Sequence, residues 1–310
     1  MSQIVDASLA ALAVGPPIPL GELTLLPLFS SRAPGLAYLG LAEALETRQL
    51  VISEVSHAGE VPELALSSSA SLPVLLVEGE ALIGARQDRF VNASLLVPPG
   101  AGMRIPVSCM EAGRWSWSRP DFVDGGLLAS DAIRRRTQRS VLASLAAGRG
   151  RRSDQAGIWS DIDQLHARAG SRTETRSLKH VLEQRDARSQ RRIEALPGQP
   201  GQLGLARFEA GRLRALELCS RDDVWSRLQP KLLRSLLLER STLEHPRSPA
   251  RSVPLPEDWL TALRARMSRS DVERYASPGL GHELRFEAPD LDATALVHAG
   301  ELLHLAVYCD

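Results

Sequence analysis

Lysine is almost missing from this chain. Of its 37 basic residues only Lys179 and Lys231 are lysines, so 37 − 2 = 35 are arginines. Asparagine occurs once, at Asn92. The codons of both residues are AT-rich, so the skew is that of a GC-rich coding sequence, and Asn92 stands out against it. Cysteine is scarce too. Cys109, Cys219 and Cys309 are odd in number, far apart and in no CxxC, which excludes a zinc ribbon and a thioredoxin motif and gives no basis for a disulfide framework. Free thiols suit a reducing compartment, so a soluble cytoplasmic protein is expected. GxGxxG and the phosphate loop ending in Gly-Lys-Ser or Gly-Lys-Thr are absent, which removes support for the standard nucleotide loops. No run of ~18 apolar residues occurs, so no membrane span is expected. The N-terminus has no basic region, carries Asp6 and breaks at Pro16 and Pro17, unlike a signal peptide. His57 is alone before His166, and His282, His298 and His304 lack ligand spacing. No metal and no cofactor are therefore expected.

What is present is ordinary in bulk. The chain has 310 residues, 44% hydrophobic and 24% charged, a length that suggests about two domains and buries roughly three quarters of the unfolded surface. The net charge is zero, but its distribution is uneven. Residues 1–125 carry 7 basic and 13 acidic residues, 126–200 carry 15 and 8, and 201–310 carry 15 and 16. These shifts divide the chain into a β-rich domain (1–125), a basic helical segment (126–200) and an α/β C-terminal part (201–310) packed with the first.

Hydrophobic period gives the elements. Closely spaced strand patterns punctuated by Gly and Pro run through 20–122: strands at 23–29 and 50–55, a hairpin pattern over 72–84 turning near Glu78-Gly79, one strand over 89–100 and another over 102–111. A short helix is expected at 39–49. Helical period then takes over: Ser130 can cap a helix carrying Ile133, Val141 and Leu145; Ser153 or Asp154 opens a second with Trp159, Ile162 and Leu165; a third carries Leu178, Val181, Leu182 and Ile193. Residues 202–240 read strand–turn–strand–helix. A connector at 245–256 leads to a helix from Asp258, and a hairpin turning at Ala299-Gly300 ends the chain. The fold class is α+β, with a β-sandwich or jelly-roll-like N-terminal half, a helical middle, and a mixed ββα and hairpin C-terminal part.

The densest polar cluster is EGEALIGARQDRFVN, residues 78–92. Strand alternation puts Gln87, Arg89 and Val91 on one face and Asp88, Phe90 and Asn92 on the other. An Arg fork suits phosphate or carboxylate, and Gln or Asn orients polar groups. Salt bridges on a hairpin surface are the plainer account of the charges alone. A second cluster, PVSCMEAGRWSW (106–117), offers Arg114 as a cation and Trp115 as a stacking face, against simple edge packing of Trp115 and Trp117. Cys109 has no base near it in sequence, so a buried thiol is the better reading. RRRTQR (134–139) and RGRR (149–152) have interleaved acids, so solvated helix faces are expected there and nucleic acid is not the expected partner.

VLLVEGEALIGARQDRFVN, LLVPPG and IPVSCMEAGRW together resemble the bacterial domain family named for association with ADP-ribosylglycohydrolase and rhodanese-phosphatase proteins. The family's Gly-Glu pair falls on Gly79-Glu80, its Gly-Ala-x-Gln-Asn-Arg stretch on 84–89 with Asp88 in the Asn position, its later Asn on Asn92, and its last segment on Pro106 to Trp115. IWSDIDQLHARAGSRTETRSL and PKLLRS look like further parts of it. The resemblance implies a setting in ADP-ribose, NAD-derived nucleotide or phosphate-ester metabolism, without a reaction. Three readings stay open. The first is a binding or accessory protein for a nucleotide-like ligand, using Gln87, Arg89, Asn92, Arg114 and Trp115. The second is a hydrolase or transferase with Glu80 or Glu111 as general base. The third is a structural module that meets a protein partner.

Overall fold

The computed structural model of the protein describes residues 2–32, 35–56, 62–111, 114–171, 177–183, 187–239 and 258–310. The fold is mixed α+β, rich in strands at the N-terminal half, helical in the middle and strand-rich again at the C-terminus. Among the described residues, no helix is long and apolar enough to cross a membrane. His57 and the 245–256 connector lie outside the described residues.

The N-terminal half contains a β-sandwich. A six-stranded antiparallel sheet runs in the order Phe122–Leu128, Glu80–Gly84, Arg89–Val91, Gly102–Cys109, Glu63–Ser68 and Leu50–Glu54. It faces a three-stranded sheet made by Leu95–Val97, Val74–Leu76 and Leu39–Gly40. Between them lies an apolar layer that includes Ile52, Leu64, Leu66, Leu76, Leu82, Val91, Val97 and Ile105. The other face of the six-stranded sheet carries the helices Asp131–Ala146, Gln155–Ala169 and Leu178–Glu183, packed through Phe90, Leu127, Ile133, Ile158, Ile162 and Val181. Val91 and Phe90 thus point to opposite layers, as strand alternation requires. On the second helix the buried stripe is Ile158, Ile162 and Leu165, one residue off the Trp159 register, and Trp159 stays exposed. Ser130 caps the first helix and Asp154 the second, each accepting a backbone N–H.

The second architectural unit is a nine-stranded antiparallel sheet. The strand Leu23–Ser30, close to the N-terminus, lies outside the sandwich and pairs with Gln202–Glu209. The order continues through Arg212–Cys219, Glu301–Cys309, Leu291–His298, His282–Ala288 and Asp271–Ala276. One face is covered by the helices Gln3–Ala10 and Trp259–Arg269 through Val5, Leu9, Phe208, Trp259, Leu263 and Met267. The other packs on the long helix Asp222–Glu239 through Leu205, Trp225, Leu232, Leu236 and Leu303. The hairpin between the last two strands turns on Ala299 and Gly300, both at positive φ (49° and 79°), the paired left-handed geometry of a two-residue turn that follows the sheet's twist.

Two breaks place the polar motif. The 72–84 pattern is not a hairpin: Val74–Leu76 pairs with Leu95–Val97 and Leu39–Gly40, while Glu80–Gly84 pairs with Phe122–Leu128 and Arg89–Val91. Gly79, at φ +84°, turns the chain from one sheet to the other. The 89–100 pattern likewise divides into Arg89–Val91 and Leu95–Val97, with the corner at Asn92, Ala93 and Ser94. Polar side chains at these corners can meet groups from both sheets, which a continuous strand would not allow.

Candidate functional site

The motif closes on itself around a tight turn. Gly84 sits at φ +146°, and a Cβ there would lie 2.5 Å from the Asp121 carbonyl oxygen, so only glycine fits. The Gly84 N–H donates to Asp88 Oδ1 at 3.0 Å, and the Asp88 N–H donates to Glu111 Oε1 at 2.9 Å. Arg114 ties the parts together: Nε donates to Glu111 Oε1 at 2.7 Å, Nη2 to Asp88 Oδ1 at 2.8 Å and Nη1 to the Ala85 carbonyl at 2.9 Å. Asp88 Oδ1 accepts from both the Gly84 N–H and Arg114 Nη2, a role open also to the side-chain oxygen of the Asn in the resembling pattern. The Gln87 amide donates to the Glu111 carbonyl.

Arg89 lies one strand further in, opposite Cys109 in register and fully buried. Its Nη1 donates to Gln87 Oε1 at 2.5 Å and to Cys109 Sγ at 2.8 Å. Among the described residues, its Nε and Nη2 have no hydrogen-bond partner. These two atoms form the side-on edge of the guanidinium, the one that takes a carboxylate or phosphate with two parallel bonds. Glu54 Oε1 stands 3.9 Å from Nη2, an ion pair without a hydrogen bond, and Glu54 Oε2 is also unpartnered. The guanidinium lies 5.5 Å from the centre of the Trp115 ring, and that ring is 44% exposed. Burial pushes the Cys109 thiol up, with Arg89 opposing it in part, so Cys109 is held as a thiol, not a thiolate.

Asn92 and the strand Gly102–Cys109 hold the connector between the first two packed helices. Asn92 Nδ2 donates to the Arg151 carbonyl at 3.1 Å, and its Oδ1 accepts from Ser108 Oγ at 2.5 Å. Ser108 Oγ also meets Ser153 Oγ, and Gln155 clasps the Cys109 backbone at both N–H and C=O. Arg151 Nε donates to Glu283 at 2.8 Å. The basic stretch 149–152 is therefore anchored at its second half. Within residues 130–171, trypsin is expected to cut after Arg149 first, and Asn92→Ala to open Arg151 and Arg152 to cleavage. Mapping early fragments by mass checks this, and equal early cutting at all three sites in the unmodified protein would rule the anchor out.

Glu80 is buried and both oxygens are held: Oε1 accepts from Lys231 Nζ at 2.6 Å and Oε2 from the Val77 N–H at 2.8 Å. Burial raises its pKa, with the Lys231 ammonium opposing. Lys231 also meets Asp124 Oδ1 at 2.7 Å. Glu111 is buried and engaged by Asp88 and Arg114 as above. The structure thus gathers Gln87, Arg89, Arg114, Glu111 and Trp115 into one cluster, and places Glu80 on the Lys231 side and Asn92 against the connector.

A second buried network escaped sequence reasoning. Arg134, in the basic run, forms a two-pronged pair with Glu217 (Nη1–Oε2 2.9 Å, Nη2–Oε1 2.6 Å), with Glu78 3.8 Å away. Glu78 accepts from Thr294 at 2.9 Å and from the Gln138 amide. His304 bridges Glu217 Oε1 (2.8 Å) and Ser94 Oγ (2.9 Å), and the Ser94 oxygen also accepts the Glu78 N–H. A neutral His304 with its proton on Nε2 satisfies every one of these bonds: the Ser94 hydroxyl donates to Nδ1, and Nε2–H donates to Glu217. The signal in the sequence was positional. Arg134 and Gln138 are four apart, and Val141 follows three later, so the polar pair shares a stripe with an apolar residue. The remaining arginines of the run also have internal carboxylates: Arg135 and Arg139 reach Asp292, and Arg136 reaches Asp161.

Open cavities lie elsewhere. One of about 280 Å³ is lined by Arg32, Cys219, Ser220 and Glu301, and one of about 290 Å³ by Asp131, Arg207, Arg214 and Tyr308. The site at Arg89 is closed, with the Trp115 ring across it.

A sandwich joined to an antiparallel sheet, with a buried polar motif at the corners of its strands, defines an α+β protein whose distinctive chemistry is a closed cluster of arginines and carboxylates. Residues 11–308 match the ARG and Rhodanese-Phosphatase-superfamily-associated Protein domain, and the chain belongs to that family. No curated protein and no solved structure matches it.

Proposed function

We propose that this chain is a binding protein for a phosphate-bearing small molecule of the ADP-ribose-like or NAD-derived kind, taken at Arg89. The observation that carries this reading is the side-on edge of a fully buried guanidinium whose Nε and Nη2 meet no hydrogen-bond acceptor among the described residues. Leaving buried donors unmatched costs about 1–3 kcal/mol, and a phosphate oxygen pair on Nε and Nη2 recovers it. The family's named association with other enzyme classes fits an accessory role. Binding is favoured over catalysis because both oxygens of Glu80 are committed to Lys231 and the Val77 N–H, leaving no free base there. Entry requires the exposed Trp115 ring to move off Arg89. Gln87 then fixes the guanidinium from behind, and Arg114 holds the Glu111 side of the cluster.

Thermal unfolding with and without millimolar ADP-ribose tests the reading. The unmodified protein should be stabilised by mass action, by about 2.7 kcal/mol at a hundredfold excess over Kd. Arg89→Lys keeps the cation beside Glu54 but loses the fork, so it should stay folded and lose the response. Glu54→Gln removes the competing carboxylate and should strengthen the response. A Glu54→Gln protein that merely melts early, together with an unmodified protein that ADP-ribose does not stabilise, would mean that Arg89 serves only the fold.

A further inference from the structure

The ring that covers Arg89 is one layer of a stack. The Arg86 guanidinium lies 5.8 Å from the Trp115 ring centre and 5.2 Å from the Trp117 ring centre, and Trp115 in turn lies 5.5 Å from Arg89. Planar cations and indoles thus alternate from the buried Arg89 to the surface: Arg89, Trp115, Arg86, Trp117. The chain has five tryptophans. Trp225 and Trp259 are buried in the core, whereas Trp115 and Trp117 are 44% and 43% exposed. Nearly half of each of these two residues is open to solvent, beside the closed Arg89 site. Their rings present π faces flanking a flat, delocalised cation.

We infer that the ligand of the Arg89 site is a nucleotide, with its aromatic base stacked in the Trp115–Arg86–Trp117 layers and its phosphate on the Arg89 edge. This rests on the phosphate reading of Arg89 and narrows it. A purine is planar like the guanidinium, stacks on an indole without needing a hydrogen-bond code, and can take the place of Arg86 or lie over an outer ring face. Trp115 belongs to both halves of the site: it covers Arg89 in the closed state and is the first stacking face once displaced. A sugar phosphate without a base has nothing to place on these layers. The geometry therefore discriminates by the base, while the phosphate supplies the anchor. Arg86 lies over both indole rings, so its cation–π contacts tie the two rings together beside the site.

Equilibrium dialysis with AMP, ribose 5-phosphate and adenosine, alongside tryptophan fluorescence, separates the two layers of the argument. AMP is expected to bind about tenfold or more tighter than ribose 5-phosphate and to quench tryptophan emission. Trp117→Leu, a substitution at a half-exposed position, is expected to bring AMP down toward the ribose 5-phosphate level. Equal affinity for AMP and ribose 5-phosphate would overturn the base inference and leave the phosphate reading intact. Adenosine binding that is indifferent to Arg89→Lys would do the reverse, sustaining the stack and overturning the phosphate anchor. No binding by any of the three probes overturns both.

Discussion

Arg134→Met is expected to lower the unfolding free energy by about 3–5 kcal/mol at neutral pH, because it strands the buried Glu217 carboxylate without its partner. The pair is two-pronged and buried, and Glu217 Oε1 also meets His304 Nε2 at 2.8 Å. Burial by itself pushes Glu217 up, but Arg134 and the His304 hydrogen bond outweigh it and bring it to about 2, from an ordinary 4.5. A depressed carboxylate stabilises the fold above its unfolded value and loses that contribution as pH falls toward the folded one. In the unmodified protein, Glu217 should therefore cost on the order of 3 kcal/mol of stability between pH ~4.5 and ~2. In the Met variant the clamp is gone and burial dominates, so Glu217 takes up a proton on folding and acid becomes favourable at that site. The stability gap between the two proteins should be widest above pH ~5 and should close as the pH falls. Urea unfolding at several pH values measures this. A gap that stays constant would mean that Glu217 is not the group left uncompensated. Arg134→Met combined with Glu217→Gln should recover a large part of the loss, since removing both charges of a buried pair is often close to neutral.

Much of the fold was legible in the sequence. The helix after Ser130, the strand–turn–strand–helix from 202 and the closing hairpin at Ala299-Gly300 all appear where local period and turn chemistry put them. What was not legible is which strands pair. Leu23–Ser30 has the pattern of a sandwich strand yet joins Gln202–Glu209, and nothing in its alternation names a partner so far away in sequence. The divided patterns at 72–84 and 89–100 failed for a related reason. Apolar residues on both sides of Gly79 and of Asn92–Ser94 continue the strand signal, so a change of sheet leaves no trace in period alone. Within the motif, residue type indicated polar engagement but not its direction. Arg89 and Asn92 are the residue types that bind ligands, and both are also the types that tie buried segments together. Asn92, the sole asparagine, holds Arg151 in place. Arg89 spends one nitrogen on Gln87 and Cys109, which ties buried segments, while its other two have no hydrogen-bond partner among the described residues.

The near absence of lysine was the overlooked signal, and it leads to the other large effect. In a chain with 35 arginines, Lys231 survives at a buried position, its Nζ 2.6 Å from Glu80 and 2.7 Å from Asp124. It lies on the long helix Asp222–Glu239, directly after Pro230, and links that helix to two adjacent strands of the six-stranded sheet. A compact ammonium on a thin stem can meet two carboxylates in a space that a planar guanidinium does not fit. Lys231→Met is therefore expected to cost about 3–5 kcal/mol at neutral pH, because Glu80 and Asp124 would be left close together without a cation. Lys231→Arg is expected to restore only part of this, since overpacking at a buried site costs about 1–3 kcal/mol. Burial already holds Glu80 above the ordinary carboxylate range despite Lys231, so its ionisation opposes folding as pH rises through that range. Without the ammonium this opposition grows, and the Met variant should regain stability as the pH is lowered. Denaturant titrations of the two variants at pH 7 and pH 5 decide the matter. If Lys231→Arg is as stable as the unmodified protein, the lysine is not a geometric requirement; if Lys231→Met is equally stable at both pH values relative to it, Glu80 does not depend on that charge.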